Sequence, residues 1–147
     1  MNATFMAESL LEALLWTHEH DLCHDLEKIL GKVILTVKGG EWQFELTAEE
    51  LHWPEPGSIA TAEALATAFL EECDSNLPKD WRELWEGEEE ELGHLLAFTM
   101  EGEGSGFWEY PDKYGDELTR ICDRLGGIYI YIGDDAKTYF NWERPKI

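Results

Sequence analysis

Histidines are the first residues in this chain whose spacing suggests chemistry. His18, His20 and His24 fall within seven residues. On a helix, His20 and His24 would lie one turn apart on the same face, as a pair of zinc ligands does. No second ligand cluster accompanies them, since His52 and His94 are isolated in the sequence. We therefore expect a solvated turn or the start of a helix. His18, His20 and His24 remain weak candidates for a metal site, and no cofactor is expected.

Two other patterns have the look of catalytic motifs. Gly102, Gly104 and Gly106 occupy three of five positions, as glycines do in phosphate loops, but no Lys-Ser/Thr pair follows them. The acidic residues within this loop would also repel a phosphate, so we predict a tight turn with positive φ. Asp134-Asp135 beside a glycine favours a hairpin turn over a metal site. The sequence thus predicts a protein that is not an enzyme.

Charge is the most pronounced property of the chain. It carries 32 acidic residues against 11 Lys and Arg, for a net charge of −21. Nine acids and no base lie between Lys38 and Lys79, and ten acids and no base lie between Arg82 and Lys113. Such a chain would repel nucleic acids and anionic lipid, so we expect its partner to be a basic surface. The alternatives are that acidity serves solubility or reflects a salt-loving host.

Length and composition favour one folded domain over residues 1–147. No run of about 18 apolar residues is present, so a membrane span is not expected. The first residues lack the basic segment of a signal peptide. Three cysteines, odd in number and far apart, fit reduced thiols in the cytoplasm of a bacterial host cell. Cys73, at the end of an apolar stripe, is expected to be buried and inert.

Local patterns predict an α+β fold with an antiparallel sheet and three or four short helices. Two hairpins, at about 32–47 and 128–142, flank glycine-containing turns. The apolar residues at about 92–100 predict a third, buried strand. The clearest helical periodicity lies in the segments 7–16, 58–73 and 116–125. Ser58 or Thr61 is the expected N-cap of the second of these.

Several motifs in the last third resemble those of a family of small acidic proteins of bacteriophages and plasmids. They are Gly93-His94 before an apolar run, the loop Gly102 to Trp108, the segment Gly115 to Thr119, and the hairpin Tyr131 to Tyr139. An early Leu-Glu-x-x-Leu-Trp helix and a mid-chain helix with Glu-Glu near its end also match. The stretch 18–56 departs from the family pattern, and Asp135-Ala136-Lys137 replaces the usual glycine. The resemblance implies a mobile-element origin and supplies no catalytic residues.

These properties favour an anti-defence protein, an anti-CRISPR or anti-restriction inhibitor that mimics nucleic acid. Ordered carboxylates would occupy the Lys/Arg-lined channel of a host nucleic-acid-handling complex. An exposed Trp85 or Trp108 would be an anchor residue of the interface with the partner. The candidate partner-binding residues are Glu86, Glu88, Glu89, Glu90, Glu91, Glu101, Glu103, Trp108 and Glu109. The alternative is an acidic immunity-type protein that neutralises a basic toxin, and a carboxylate or metal enzyme ranks third. The protein would be a monomer or homodimer.

Overall fold

The α+β class expected from the sequence is confirmed in a computed structural model, which describes residues 1–31, 35–38, 41–44, 53–102 and 104–144. For 35–38 and 41–44 it describes the backbone alone. The helices are α1 (Ala3–Thr17), α2 (Glu19–Leu30), α3 (Pro56–Asn76), α4 (Trp81–Leu84), α5 (Glu89–Glu101) and α6 (Gly115–Leu125). The strands are β1 (Leu35–Lys38), β2 (Glu41–Phe44), β3 (Gly127–Ile132) and β4 (Thr138–Glu143). Short 3₁₀ turns span Phe107–Glu109 and Pro111–Lys113.

Helix α1 lies at the centre of the packing, against both α3 and α5. Its buried face includes Met6, Leu10, Leu11 and Leu14, which follow the predicted helical spacing. The helix begins where Asn2 accepts a hydrogen bond from the Phe5 amide at 3.1 Å. Since α6, β3 and β4 pack on the other sides of α3 and α5, the helices supply most of the core.

Helices α1 and α5 make a close contact at Gly93. A Cβ added there would lie 2.5 Å from the carbonyl oxygen of Met6 and 2.7 Å from the Cβ of Ser9. Both distances are shorter than a carbon can approach these atoms without displacing them. Glycine at this position therefore sets how close the two helices come, and it fixes the position of the side chains on either side.

The C-terminal hairpin was predicted to within a residue at each end. Strands β3 and β4 pair antiparallel, with Tyr131 opposite Tyr139. In the turn, the Asp135 carboxylate accepts hydrogen bonds from the Lys137 amide at 3.1 Å and from the Tyr139 hydroxyl. The bond to Tyr139 and then that from the Lys137 amide lower the pKa of Asp135. The Asp pair thus belongs to a turn, as predicted.

The first hairpin is also present as predicted, with Leu35 opposite Phe44 and Lys38 opposite Glu41. Its Gly39-Gly40 link and its outer residues lie outside the described part of the chain. The two hairpins form separate two-stranded sheets in the described residues instead of one sheet. The segment at about 92–100, which was expected to add a third strand, is helical.

The prediction of a strand at about 92–100 is wrong, since these residues form most of α5. An apolar run is compatible with a buried strand or a buried helix, and periodicity alone does not separate the two. Here Leu92, Leu95 and Leu96 are all buried because α5 packs against α1, α6 and β3. With α5 added, the described residues contain six α-helices instead of the three or four expected.

The N-cap prediction for α3 is also wrong. Glu55 is the N-cap, and its carboxylate accepts hydrogen bonds from the amides of Gly57 at 3.1 Å and Ser58 at 2.7 Å. Pro56 occupies the first helical turn, where its lack of an N–H costs nothing. Ser58 lies inside the helix, buried, and its hydroxyl accepts a hydrogen bond from the Phe140 amide at 2.8 Å. This residue therefore joins α3 to the C-terminal hairpin.

The glycine-rich loop has the predicted conformation. Gly102 ends α5 with φ of 70° and Gly104 has φ of 82°, both in the left-handed region that favours glycine. The loop returns to α5 through the Phe107 amide, which donates to the Thr99 hydroxyl at 3.0 Å. Within the described residues, no helix is both long enough and apolar enough to cross a membrane.

Candidate protein-binding surface

The run of four acids at residues 88–91 forms the beginning of α5. Glu88 is the N-cap, and Glu89, Glu90 and Glu91 make up the first turn. Acidic side chains are favourable here because the N-terminus of a helix carries a partial positive charge. Successive helical residues are rotated by about 100° about the axis, so these carboxylates point in different directions. The run therefore surrounds the helix end instead of forming one flat face.

On one side, the acids converge on Tyr110. Its hydroxyl donates to the Glu91 carboxylate at 3.3 Å, and the Lys113 ammonium pairs with Glu88 at 2.8 Å. Partial burial raises the pKa of Tyr110, and the negative charges of Glu91, Glu109 and Glu88 raise it further. Three carboxylates thus lie close enough to one phenol for their charges to raise its pKa.

On the other side, the acids line an open depression of about 340 Å³. Glu83, Glu86 and Glu89 contribute to its wall, together with Arg82. The Arg82 guanidinium is held by Asp74, at 2.8 Å from Nε and 2.6 Å from Nη2, and this pair lowers the pKa of Asp74. Arg82 is thus already paired within the chain. It adds no unpaired guanidinium to the depression, which Met1 also lines.

Together these residues make up a negative region around the beginning of α5, which we call the α5 acidic surface. It consists of Glu83, Glu86, Glu88, Glu89, Glu90, Glu91 and Glu109. Lys113 and Arg82, which lie beside it, both pair with carboxylates of the same chain. The surface therefore presents excess negative charge to solvent.

One described carboxylate among the predicted binding residues does not join this surface. Glu101 lies at the opposite end of α5, roughly 18 Å along the helix axis from Glu89. Its side chain is only 13% exposed, and one carboxylate oxygen is 2.6 Å from Nε2 of His18. The prediction that Glu101 faces a partner is therefore wrong, because the residue connects α5 to the end of α1. Glu103 lies outside the described residues.

The two tryptophans proposed as anchors differ in exposure. Trp85 is completely buried, so the prediction that it is an exposed anchor is wrong. Its ring packs against Phe107 and Tyr110, with centroids 5.8 and 5.4 Å away. Trp108 is 40% exposed and lies over Gly106, where an added Cβ would be 2.2 Å from the indole ring. Trp108 thus remains available as a contact residue.

Sequence reasoning missed the most exposed aromatic residue that the structure describes. Trp16 is 73% exposed, near the end of α1. Together with Phe98 and Ser105 it lines a shallow depression of about 230 Å³ at the C-terminal end of α5. The helical periodicity of α1 could have predicted this exposure, because Trp16 is rotated by about 200° from Leu14, away from the buried stripe. This aromatic depression and the α5 acidic surface lie at opposite ends of α5.

Each of the three candidate histidines contacts another side chain of the protein. His18 pairs with Glu101, as described above, while the rings of His20 and His24 contact each other edge to face with centroids 4.6 Å apart. Nδ1 of His24 is 3.4 Å from the Glu27 carboxylate. His18 is thus directed to α5, while His20 and His24 lie on α2.

A different histidine lies beside carboxylates. Glu12 on α1 and Glu90 and His94 on α5 each place one potential ligand atom within 4.8 Å of the other two. Among the His, Cys, Asp and Glu side chains that the structure describes, these three are the ones close enough together to share one ion. The expectation that His94 is isolated is therefore wrong. Sequence reasoning missed the group because Glu12 is far from Glu90 in the chain, and the α1–α5 packing brings them together.

The three cysteines are buried and unpaired, as expected for Cys73. Burial, followed by the charges of Glu19 and Glu27, raises the pKa of Cys23 to about 12. Burial likewise raises the pKa of Cys73 and Cys122. Since the thiolate is the reactive form, none of the three is suited to nucleophilic chemistry in the folded protein.

Comparison of the chain with models of protein families, with curated proteins and with solved structures gave no match. The resemblance to small acidic phage and plasmid proteins therefore stays a prediction.

Proposed function

We propose that the protein is an anti-defence inhibitor that acts by occupying the nucleic-acid site of a host complex. The observation that supports this most is the α5 acidic surface, whose carboxylates surround one rigid helix end. DNA-binding channels are lined with Lys and Arg, and they bind duplex DNA largely through phosphate charge. A folded, negatively charged surface can compete for such a channel. In this proposal the protein works in the bacterial cytoplasm, and an anti-CRISPR or anti-restriction role is the expected class.

Rigidity matters to this proposal as much as charge. Glu88 is tied to Lys113, and Glu91 to Tyr110, while Tyr110 packs on the buried ring of Trp85. Carboxylates on an ordered surface lose less conformational freedom on binding than those on a loose tail. The acids at the beginning of α5 are therefore better suited to a lasting complex than a disordered acidic segment would be.

The second candidate function is an immunity-type protein that neutralises a basic toxin. It is favoured by the aromatic depression, because Trp is enriched among residues that dominate the binding energy of protein interfaces. Trp16 and the α5 acidic surface lie at opposite ends of α5, so the two functions predict different binding surfaces.

The experiment is capture of host proteins by the tagged full-length chain, at low and high salt, with and without added duplex DNA or RNA. The proposal expects a nucleic-acid-binding complex that is released by the nucleic acid and weakened by salt. Recovery of a lone basic toxin that DNA does not release would contradict it and support immunity.

Variants at the two ends of α5 sharpen the test. The substitutions E86Q, E89Q, E91Q and E109Q together remove four charges from the α5 acidic surface. The combination E63Q, E71Q, D123N and D134N removes four charges elsewhere and is the matched control. Mimicry predicts that only the first set abolishes capture and that W16A leaves it unchanged. If the protein instead neutralises a toxin through the aromatic depression, W16A should abolish capture.

A further inference from the structure

Glu12, Glu90 and His94 form a cluster at the edge of the α5 acidic surface, with which it shares Glu90. Glu90 and His94 are one helical turn apart on α5, so their side chains lie on the same face. Glu12 reaches this face from α1. All three potential ligand atoms lie within 4.8 Å of one another. The cluster therefore combines two anionic oxygens with one imidazole nitrogen, drawn from two helices that pack tightly.

Two features distinguish the cluster from acids that are merely close on an acidic protein. First, the half-buried His94 contributes an imidazole nitrogen, which carboxylates do not repel, and its ring packs beside Phe98 with centroids 6.5 Å apart. Second, the adjacent Gly93 holds α1 against α5 at backbone contact distance. The position of Glu12 relative to His94 is thus fixed by the core and not by flexible surface segments.

The charges of the cluster are not compensated within the described chain. Neither Glu12 nor Glu90 forms a hydrogen bond or ion pair with a described residue, whereas Glu88 and Glu91 beside them do. Two carboxylates brought together without a cation repel each other. A divalent cation bound between them would remove this repulsion.

The distances suit an ion after a small adjustment. Ligand atoms about 2.1 Å from a tetrahedral zinc ion are roughly 3.4 Å apart. The cluster reaches this spacing if the carboxylates move inward by about 1 Å, which rotation of exposed Glu side chains allows.

We propose that Glu12, Glu90 and His94 bind one divalent transition-metal ion, with zinc as the preferred ion. Imidazole favours zinc and its neighbours over Mg²⁺ and Ca²⁺, which take six or more oxygen ligands. Three protein ligands leave the fourth tetrahedral position for water, as in zinc sites that are open to solvent. The ion joins α1 to α5 at the edge of the α5 acidic surface.

Calorimetric titration of the metal-stripped full-length protein with zinc chloride tests the proposal. Excess Mg²⁺ in the buffer suppresses weak binding by the other carboxylates. We expect one zinc ion per chain. E12Q and H94Q should each weaken binding by at least the roughly 10- to 100-fold that loss of an outer-shell partner costs. E71Q removes an acid from the exposed side of α3 and should leave binding unchanged.

The exposed histidines of α2 provide the decisive contrast. If zinc binding persists in E12Q and H94Q but is lost in the double variant H20Q/H24Q, the ion binds at α2 and the proposal is overturned. Absence of saturable binding in the wild-type protein overturns it as well. Circular dichroism of E12Q, whose altered side chain is exposed, confirms that the fold is kept. Selective shifts of the His94 ring signals in NMR on zinc addition would support it.

Discussion

The indole nitrogen of Trp85 donates a hydrogen bond to the backbone carbonyl of Lys113 at 3.0 Å. The Lys113 ammonium in turn lies 4.8 Å from the centre of the Trp85 ring and pairs with Glu88. One buried tryptophan thus positions the cation that neutralises one carboxylate of the α5 acidic surface. The role of Trp85 is therefore to position Lys113 from within the core, and its buried ring is not available to a partner.

Replacing Trp85 tests this supporting role. W85A removes a fully buried ring and should lower the free energy of unfolding by about 3–5 kcal/mol. W85F keeps an aromatic ring and loses the hydrogen bond to Lys113, so its loss should be smaller, about 1–2 kcal/mol. Urea denaturation measures both. A W85A variant that unfolds like the wild-type protein but no longer captures its partner would contradict the buried role.

Substitution of Gly93 tests the close contact of α1 and α5. The added methyl group of G93A would overlap the backbone of α1 at Met6, so the helices must move apart. We expect a loss of about 1–3 kcal/mol in the free energy of unfolding. G31A is the control, because its added methyl group would meet no atom within 4 Å. Only the left-handed φ of 66° disfavours alanine there, and it should lower the free energy of unfolding by about 1 kcal/mol. A loss in G93A that is smaller than the loss in G31A would show that the helices do not touch there.

Thiol chemistry tests the burial of the cysteines. Because burial raises the pKa of all three, the native protein should react negligibly with Ellman's reagent at pH 8. After unfolding in guanidinium, three thiols per chain should react. Rapid reaction of one thiol in the native protein would point to an exposed cysteine and contradict the packing of α2, α3 or α6.

The pH dependence of stability tests the cap of α3. The amide of Gly57, followed by the hydroxyl and amide of Ser58, lowers the pKa of Glu55 below its ordinary value of 4.5. A carboxyl whose folded pKa is lowered stabilises the fold above its unfolded pKa, and this contribution is lost as the pH falls through the folded pKa.

The variant E55Q should therefore unfold at lower urea concentration than the wild-type protein at pH 7. The difference should stay constant down to about pH 5 and shrink as the pH falls further. E71Q, a substitution on the exposed side of the same helix, is the control and should show no such dependence. A difference between E55Q and wild type that persists at pH 3 would contradict the role of the charged cap.

The sequence predicted the elements that carry local signals. The C-terminal hairpin has strands rich in aromatic and β-branched residues around a Gly-Asp turn, and it was placed to within a residue. The α5 segment failed because the acids at 89–91 and the apolar run after them were interpreted separately. Acids in a first turn, an apolar run and Gly102 at the end together form a helix signature. That combination would have predicted α5 correctly.

Side-chain neighbours from distant parts of the chain could not be predicted in the same way. Glu101 is an acid of α5 like Glu91, yet its side chain is mostly covered and pairs with His18, because α1 and α5 run side by side there. Trp85 and Trp108 likewise look alike in the sequence. Their exposures differ because Trp85 packs inside the core against Phe107. Trp108, the residue after Phe107, lies on the outer side of the loop. Such differences depend on tertiary packing and not on local propensity.

The most direct test of the central claim is the release of the captured host complex by duplex DNA at constant ionic strength. Mimicry predicts that DNA displaces the wild-type protein and the E63Q/E71Q/D123N/D134N control in proportion to its concentration. The E86Q/E89Q/E91Q/E109Q variant should not be captured at all. Undiminished capture of that variant, or a wild-type complex that DNA does not displace, would contradict the claim that the α5 acidic surface occupies a nucleic-acid site.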